Sequence, residues 1–425
     1  MHPTLAASCV ALLAVMCAGP VVAQPADPDD AAALELADEA PTEKPQAATP
    51  WRMFVEGAAA RGWWRDGSEP TDTVRGSFDV RYDGTLAPGL RAVVSNRLDL
   101  VRHDAAPGED HVNALREAYL SWQARPDVIV DLGRVNLRHG AAWGYNPTDF
   151  FRGGALRSIV SPDPAALREN RMGTVVVQGQ KLWSASAVSA AFSPKLASTP
   201  SDETFSLDLG STNARNRWLL TGSHKFGDRF NPQLLLHGGA GTPTQLGLNL
   251  STLIGEATVA YAEFAAGKGR SLAAQALGGD EPERTHRRAA LGLTYTTGFN
   301  LSLTAEADFN SAAPTRDEWA ALRASPTSDH LRVLQTAQTL QELPVRRAAF
   351  FYATWRDAFV RRLDLSAFVR HDPTTRSRAQ WLETRYHWDR ADLALQWQLH
   401  SGDADSVFGS VPQRRAVELS LRVYL

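Results

Sequence analysis

From Trp51 to Leu425 the chain alternates apolar and polar residues with a period of two. Such alternation is typical of β-strands, whose successive side chains point to opposite faces of a sheet. The last nine residues show it most clearly, because every odd position from Val417 to Leu425 is apolar and the positions between them are Glu, Ser, Arg and Tyr. The pattern therefore predicts an all-β fold for most of the chain.

Eighteen segments with this alternation follow one another, and sixteen is the alternative count. An even number of strands is typical of a sheet that closes into a barrel with both chain ends on one side. The predicted strands are 51–64, 73–84, 90–103, 114–124, 127–137, 173–182, 185–194, 217–226, 231–240, 245–254, 256–267, 286–297, 299–310, 345–357, 360–371, 376–388, 391–402 and 414–425.

After the second strand, the connections alternate between tight turns and longer loops. The longest loops are centred on 139–172, 195–216, 268–285 and 311–344. Outer-membrane barrels have this arrangement, with short periplasmic turns and long extracellular loops. Beyond the N-terminal segment, no stretch reaches the roughly 18 apolar residues that a transmembrane helix needs. We therefore predict a transmembrane antiparallel β-barrel with long extracellular loops in the outer membrane of a Gram-negative cell.

A soluble β-sandwich or β-helix is the alternative fold, because it shows the same period while its polar face meets water. The predicted strands are long for a sandwich. Tryptophan and tyrosine residues also fall near strand ends, as in the interfacial girdles of membrane barrels. Both features favour the barrel.

The first 23 residues are predicted to be a signal peptide. An apolar run from Leu5 to Val22 ends in small residues that suit a signal peptidase. Both cysteines of the chain, Cys9 and Cys17, lie in this segment. We therefore expect no disulfide and no cysteine metal site in the mature protein.

Residues 24–50 have a different composition, with seven acidic residues and one lysine among repeated Ala and Pro. This composition predicts an acidic disordered periplasmic linker. The barrel then takes up residues 51–425. Because the whole chain has a net charge of −3, the barrel itself has a small positive net charge.

If the apolar faces contact lipid, the opposite faces line the lumen, and these carry charges of both signs. Two strand registers are open, one with Asp79 opposite Arg97 and one with Arg75 opposite Asp99. Two interpretations are open. In the first, the charges pair with each other and so stabilise the wall; in the second, a surplus of arginine forms a cationic strip that draws anions through the pore. The predicted pore-lining residues are Arg75, Asp79, Arg81, Arg97, Asp99, Glu117, Arg134, Arg138, Arg362, Arg385 and Arg422.

Two loops are long enough to narrow the channel. The first, from Gly140 to Arg171, mixes aromatic residues with arginines, a combination that suits stacking on rings and holding a carboxylate. Asp163-Pro164 is expected to cap a short helix in it. A surface loop packed on itself is the alternative. The residues predicted to form the constriction are Trp143, Tyr145, Asp149, Arg152 and Arg157.

The second loop, from Ser311 to Pro344, has the signals of helices. Thr315 and Glu318 have the spacing of a capping box, and Val333, Ala337 and Leu340 share a helical spacing. We predict a plug or lid rather than a separate domain.

No motif for catalysis stands out, and we expect neither an enzyme nor a bound cofactor or metal. Ser223-His224 and the run His400 to Asp403 are the candidate catalytic groups, but neighbouring residues on a strand point to opposite faces. Nucleic-acid binding is not expected, since the basic residues are spread around the barrel. The expected partners are the outer-membrane bilayer, the barrel-insertion machinery and a small-molecule or polysaccharide substrate, with the protein as a monomer.

The stretch from Arg116 to Phe151 contains Arg-Glu-Ala-Tyr-Leu-Ser-Trp, then Leu132-Gly133-Arg134, then Trp143-Gly-Tyr-Asn-Pro-Thr-Asp149. It resembles the porin-like outer-membrane barrels, a group of substrate-specific porins whose eighteen-stranded build is also that of alginate exporters. The resemblance implies a passive channel with an inward-folded loop after the fifth strand. It places Glu117, Arg134 and Asp149 on the barrel wall and at the loop base.

Together these features predict a channel for passive passage of small or polymeric anions, acting as a porin or an exporter pore. A non-conducting barrel that anchors a polysaccharide or a partner at the surface is the alternative. A hydrolase at the barrel rim is a third possibility.

Overall fold

The computed structural model describes residues 49–103, 111–227, 229–325 and 327–425. The predicted signal peptide and all but the last two residues of the predicted linker lie outside these ranges. Within them, eighteen antiparallel strands form one closed sheet, in which β1 pairs with both β2 and β18. The predicted barrel of eighteen strands is therefore confirmed.

Every predicted strand has its counterpart, with ends that differ by a few residues. The strands are β1 Trp51–Trp64, β2 Thr71–Ala87, β3 Leu90–His103, β4 His111–Arg125, β5 Val128–Val135, β6 Thr174–Leu182, β7 Ser186–Ser193, β8 Arg217–His224, β9 Gln233–Gly239, β10 Thr242–Ile254, β11 Thr258–Gly269, β12 Arg284–Thr296, β13 Leu301–Asn310, β14 Arg347–Trp355, β15 Leu363–Asp372, β16 Ser377–His387, β17 Ala391–Ser401 and β18 Gln413–Tyr424.

The apolar face of the sheet is on the outside of the barrel. Leu132, Leu291 and Leu395 are between 50 and 59 % exposed, whereas polar residues at neighbouring positions, such as Asp131 and Gln396, are buried inside. A soluble sandwich would show the reverse. Exposed aromatic residues, among them Trp122 and Trp183, lie at the ends of strands next to tight turns, as in an interfacial girdle.

Tight turns and long loops alternate as predicted, with two exceptions at 240–241 and 373–376, where the outer connections are short. Five helices lie in the described parts of the outer loops. They are α1 Pro164–Glu169, α2 Leu209–Thr212, α3 Leu272–Leu277, α4 Arg316–Ala324 and α5 Asp329–Leu340. Among the described residues, none of these helices has the length and apolarity to cross a bilayer.

The wall is not equally high all round. Strands β1 to β4 contain 14 to 17 residues, but β5 to β9 contain only seven to nine. A membrane-spanning strand needs roughly 9–11 residues. The outer loops 136–173 and 194–216 therefore have to complete the barrel on this side.

Gly133 of β5 adopts a backbone angle φ of +132°, which side chains of L-residues rarely allow. A Cβ atom at this position would lie 2.3 Å from the carbonyl oxygen of Ala118 on β4. Gly133→Ala is expected to lower the free energy of unfolding by about 1–3 kcal/mol, because it adds both backbone strain and a clash. Urea unfolding of the barrel in phospholipid vesicles measures the effect.

Gly179→Ala on the neighbouring β6 is the matched control, since a Cβ atom there would meet nothing within 4 Å. We expect it to change the free energy of unfolding by less than about 0.5 kcal/mol. Equal effects of the two variants would contradict the role given to Gly133.

Candidate functional site

Arginines and carboxylates of β1 to β4 and β18 form a continuous network on the inner wall. At its centre, Glu56 accepts hydrogen bonds from Arg75 (2.6 Å), Arg97 (3.0 Å) and Arg422 (2.8 Å). Asp79 lies opposite Arg97 in the ladder between β2 and β3, so the first of the two predicted registers is the observed one. We call this set the inner-wall ion network.

The network extends to most of the other predicted lumen residues on this wall. Arg97 also donates to Asp99 (2.9 Å), and Arg75 donates to Glu418 (3.1 Å). Arg81 donates to Glu117 (2.6 Å). Beside this wall, on β16, Arg385 donates to Glu383 (2.8 Å). Because each guanidinium has a carboxylate partner, this wall adds little net charge to the lumen.

Arg134 and Arg138 lie beyond this network. Arg134 is buried on β5 and donates to backbone carbonyl groups of Leu115 (2.9 Å) and Leu207 (2.6 Å). Arg138 lies at the base of the loop after β5 and lines the larger of the two cavities described below.

The prediction that Arg362 lines the lumen is wrong. The residue lies in the turn before β15, with φ at +70°, and its half-exposed side chain pairs with Asp389 (2.9 Å). The strand begins one residue later, at Leu363, because the preceding backbone turns in the left-handed region.

Sequence reasoning missed Glu56 and Arg116. Glu56 is the only charged residue between Met53 and Ala60, and this isolated charge on an apolar strand was a usable signal. Arg116 donates to Asp79 (2.6 Å) and precedes Glu117, which also faces inward. A bulge in the pairing of β3 with β4 places both side chains inside, and no period-two pattern can reveal it.

The loop of residues 136–173 folds into the barrel and crosses the lumen. It leaves the wall at β5 and binds the far wall through two buried carboxylates, Glu263 of β11 and Glu306 of β13. Glu306 accepts the backbone N–H groups of residues 143 (2.8 Å), 144 (2.8 Å) and 145 (2.9 Å). Glu263 accepts the N–H of Ala142 (2.7 Å) and the hydroxyl of Thr148 (3.0 Å).

Arginines hold the carbonyl groups of the same loop segment. Arg168 donates to the carbonyl oxygen of Ala142, and Arg370 of β15 donates to that of Gly144. The backbone of residues 142–145 is therefore bound through both its donors and its acceptors. We call residues 136–173 the constriction loop.

Further contacts tie the middle of the constriction loop to other parts of the wall. Ser158 donates to Asp99 of β3 (2.8 Å), and Arg52 of β1 pairs with Glu169 (3.2 Å). Asp163 caps α1, as the sequence predicted, and accepts a hydrogen bond from Tyr352 of β14 (2.8 Å). Withdrawal from water raises the pKa of Asp163 to about 6, and nearby Glu383 adds to the effect although the tyrosine hydroxyl opposes it.

The second long loop forms a helical lid over the barrel mouth. Its helices α4 and α5 pack with α3 around Leu272, Trp319 and Val333, and the predicted capping box of Thr315 and Glu318 is present. The lid consists of two helices held by an apolar core that they share with α3 and Val407.

Lid and constriction loop are bound to each other. Gln341 donates to the carbonyl oxygen of Arg152 (2.5 Å), and Arg152 donates in return to that of Gln341 (3.0 Å). Glu342 accepts from Arg152 (2.5 Å) and Tyr145 (2.5 Å) and pairs with Arg288 of β12 (3.1 Å). Burial raises the pKa of Glu342, but the two arginines outweigh it and hold the pKa below its usual range.

Between the constriction loop, the lid and residues 402–412 lies an outer cavity of about 860 Å³. Trp143, Phe350, Phe368 and Phe408 supply aromatic surface, and the Arg168 guanidinium lies 4.4 Å from the centre of the Trp143 ring. Arginines outnumber acids in its lining, so the cavity is positive. The charged residues are Arg138, Arg152, Arg168, Arg171, Arg370, Asp149 and Glu342.

A second space, the side cavity of about 410 Å³, lies between the tip of the constriction loop and the wall of β1 to β4. The predicted constriction residues Trp143, Tyr145, Asp149 and Arg152 meet at the outer cavity, whereas Arg157 lines the side cavity. Among the described residues, no three His, Cys, Asp or Glu side chains are placed to hold a metal ion.

A scan against protein-family models finds no match, and a search of curated proteins finds no similar sequence. Solved structures, in contrast, include many with the same fold. Acinetobacter baumannii OccAB1 matches with a TM-score of 0.54 and 11% identity over 90% of this chain and 99% of that one. A BenF-like porin from Pseudomonas fluorescens Pf-5 matches with a TM-score of 0.56 and 11% identity over 88% and 98%.

Pseudomonas aeruginosa OccK2 (OpdF), solved in complex with glucuronate, matches with a TM-score of 0.54 and 11% identity over 88% of this chain and 97% of that one. These neighbours are outer-membrane porins of the Occ/OprD group with eighteen-stranded barrels. At such low identity the likeness concerns the fold, and it agrees with the porin-like resemblance of the motifs around Arg116 to Phe151.

Glu306→Gln is expected to loosen the constriction loop. The substitution removes the negative charge that accepts three backbone N–H groups, and hydrogen bonds to charged groups are worth roughly 1.5–3 kcal/mol each. We expect trypsin to cleave after Arg152 or Arg157 at least about tenfold faster, which corresponds to about 1.4 kcal/mol. Digestion of the folded barrel followed by mass spectrometry measures these rates.

Glu256→Gln, in an exposed turn between β10 and β11, is the matched control and should leave the cleavage rates unchanged. Identical rates for Glu306→Gln and the unmodified protein would show that the loop is held by other contacts.

Proposed function

We propose that this chain, which has the fold of the outer-membrane porins, is a passive channel for small anionic solutes. The observation that supports this most strongly is the outer cavity, where five arginines face two carboxylates directly above the constricted lumen. A solute that enters from the outer side has to pass this positive and partly aromatic surface.

The two walls of the lumen contribute differently to selectivity. The inner-wall ion network is paired almost completely, so it braces the barrel and presents little field to a solute. In the outer cavity, Arg152 and Arg171 are paired with Glu342 and Asp149, but Arg168 and Arg370 are held by backbone carbonyl oxygens and aromatic rings. Their charge therefore remains available to attract an anion.

The constriction loop favours small solutes over polymeric ones. It is bound to wall residues on several sides of the lumen, including Asp99, Glu263, Glu306 and Tyr352. A polymer would need the loop to leave the lumen and would break these contacts. The solved OccK2 complex holds glucuronate, a small carboxylate, and the size of the outer cavity suits a molecule of that class.

Two other functions are less well supported. A non-conducting surface anchor would not explain why a positive cavity lies above the lumen. A rim hydrolase needs a nucleophile and a base beside a pocket for its substrate. Ser186 and His224 are hydrogen-bonded (2.7 Å), but this bond is exposed and the two residues line neither of the two cavities. His400 faces the carbonyl oxygen of Gln413 (3.1 Å) through Nδ1, and the hydroxyl of Ser401 points to that of Arg378. The passive channel accounts for more of the structure.

Single-channel recording in a planar bilayer tests the proposal. We expect stable conductance steps and a reversal potential in a salt gradient that shows anion selectivity. Arg168→Gln should lower the anion-to-cation permeability ratio about fivefold, since one charge at about 4 Å is worth about 1 kcal/mol even in water. Arg168→Lys should keep most of the selectivity.

Arg215→Gln serves as the control for charge removal, because Arg215 is exposed on the loop between β7 and β8 and does not line the outer cavity. A folded barrel without conductance would favour the surface anchor. Cation selectivity would show that the solutes are not anions.

Deleting the helical lid from Arg316 to Leu340 and joining its ends with a Gly-Ser linker should enlarge the single-channel conductance. The deletion removes the outer wall of the cavity and the support that the lid gives to the constriction loop. The same bilayer recordings measure it, and thermal unfolding verifies that the barrel is intact. An unchanged conductance would mean that the lid does not narrow the channel.

A further inference from the structure

The barrel wall has a gap between the outer half of β4 and the top of β6. Strand β5 pairs with β4 only from Ala118 to Arg125, and the chain then turns into the lumen as the constriction loop. The outer residues of β4, 111 to 117, therefore have no neighbouring strand on that side within the described part of the chain. Gly173 donates to the carbonyl oxygen of Arg116 (2.7 Å) and marks the lower edge of the gap.

A short irregular segment, residues 203–207, fills this gap, and we call it the wall segment. The N–H of Asn113 on β4 donates to the carbonyl oxygen of Thr204 (3.2 Å). Arg157 of the constriction loop donates to the carbonyl oxygens of Glu203 (2.5 Å) and Ser206 (3.0 Å). Arg134, described above, holds the carbonyl oxygen of residue 207. Arginine side chains thus replace the ladder of a regular strand.

The outer side of the wall segment is apolar. Phe205 is 75 % and Leu207 is 52 % exposed. The strand register shows how deep the wall segment lies in the membrane. Asn113, which binds Thr204, lies opposite Leu98 of β3. Next to Leu98 on the outer surface are the exposed apolar residues Phe78 and Leu100. The wall segment therefore lies within the apolar band, where irregular backbone facing lipid is unusual.

The inner side of the wall segment faces the side cavity through Arg157. This cavity has an apolar part, formed by Val101, Val112 and Ile159, of which Ile159 is 54 % exposed. A large aliphatic side chain such as Ile159 is rarely exposed inside a polar lumen. The basic group beside it, Arg157, is suited to bind an acid. At Arg157, the irregular wall segment rather than a regular strand stands between this mixed surface and the lipid.

We propose that the wall segment is a lateral portal, through which an amphiphilic anion with an acyl chain passes between the side cavity and the outer leaflet. The carboxylate pairs with Arg157, and the chain lies along Val112 and Ile159. Charge-assisted hydrogen bonds are about twice as strong as those to neutral acceptors. A carboxylate at Arg157 therefore competes with the carbonyl groups of Glu203 and Ser206 and releases the wall segment.

A disulfide across the gap tests the portal. Asn113→Cys with Thr204→Cys ties the wall segment to β4, in a chain whose native cysteines, Cys9 and Cys17, are replaced by serine. After the disulfide has formed, a bimane fluorophore is attached to Ile159→Cys in the side cavity. The measurement is the rate at which 10-bromodecanoate, added to the barrel in lipid nanodiscs, quenches this fluorophore.

We expect the oxidised disulfide to slow quenching by bromodecanoate at least tenfold, and reduction with dithiothreitol to restore the rate. Iodide, which enters through the mouth, should quench equally in both states. A disulfide between Val177→Cys and Phe192→Cys, directly opposite each other on β6 and β7, is the matched control and should have no effect.

Equal quenching by bromodecanoate in the oxidised and reduced states would show that it enters through the mouth, and the portal would be wrong. Absence of quenching in both states would show that the side cavity takes no acyl chain and would equally overturn the proposal. Fluorescence quenching does not require ionic conductance. The test of the portal is therefore independent of the test of the channel function proposed above.

Discussion

The arrangement of the lumen depends on a carboxylate that binds backbone. Glu306 is buried on the inner wall, where a charge has to be compensated by hydrogen bonds or an opposite charge. It finds three amide N–H groups of the constriction loop and the hydroxyl of Tyr261 (2.7 Å). The loop in turn has left the sheet and needs acceptors for those amides. The Glu306 carboxylate and the loop amides thus satisfy each other's need for hydrogen bonds. Because this contact holds the loop across the lumen, it also divides the lumen into an outer cavity and a side cavity.

In the proposed channel, charge is distributed so that stability and selectivity are served by different residues. On the wall of β1 to β4 and β18, each carboxylate such as Glu56 neutralises neighbouring guanidinium groups and holds strands together. Around the outer cavity, Arg168 and Arg370 serve the fold through carbonyl oxygens and aromatic rings, so their charge is not used in bracing the wall. A barrel can therefore carry many arginines without becoming strongly positive throughout, and the field is concentrated where a solute enters.

The sequence predicted the features that repeat or that lie close together along the chain. The alternation of apolar and polar residues revealed all eighteen strands. The helix caps at Asp163 and Thr315 were recognised from residues within one turn. Contacts between distant residues were not predictable in the same way. The roles of Glu263 and Glu306 escaped detection because their partners are mainly backbone groups, which every residue has. Arg116 escaped because a bulge interrupts the period, and Arg362 was misplaced because a left-handed turn ends one residue before the strand.

Binding the loop through its main chain also separates the position of the loop from its side-chain chemistry. The amides of residues 143 and 145 would be bound by Glu306 whatever side chains those positions carried, except proline, which has no N–H. Gly144 is the exception, because a Cβ atom there would lie 2.6 Å from the ring of Phe350. A lineage of such barrels could thus exchange the residues that meet the solute while the loop keeps its course. Laboratory redesign of the solute preference could follow the same route, with the wall left untouched.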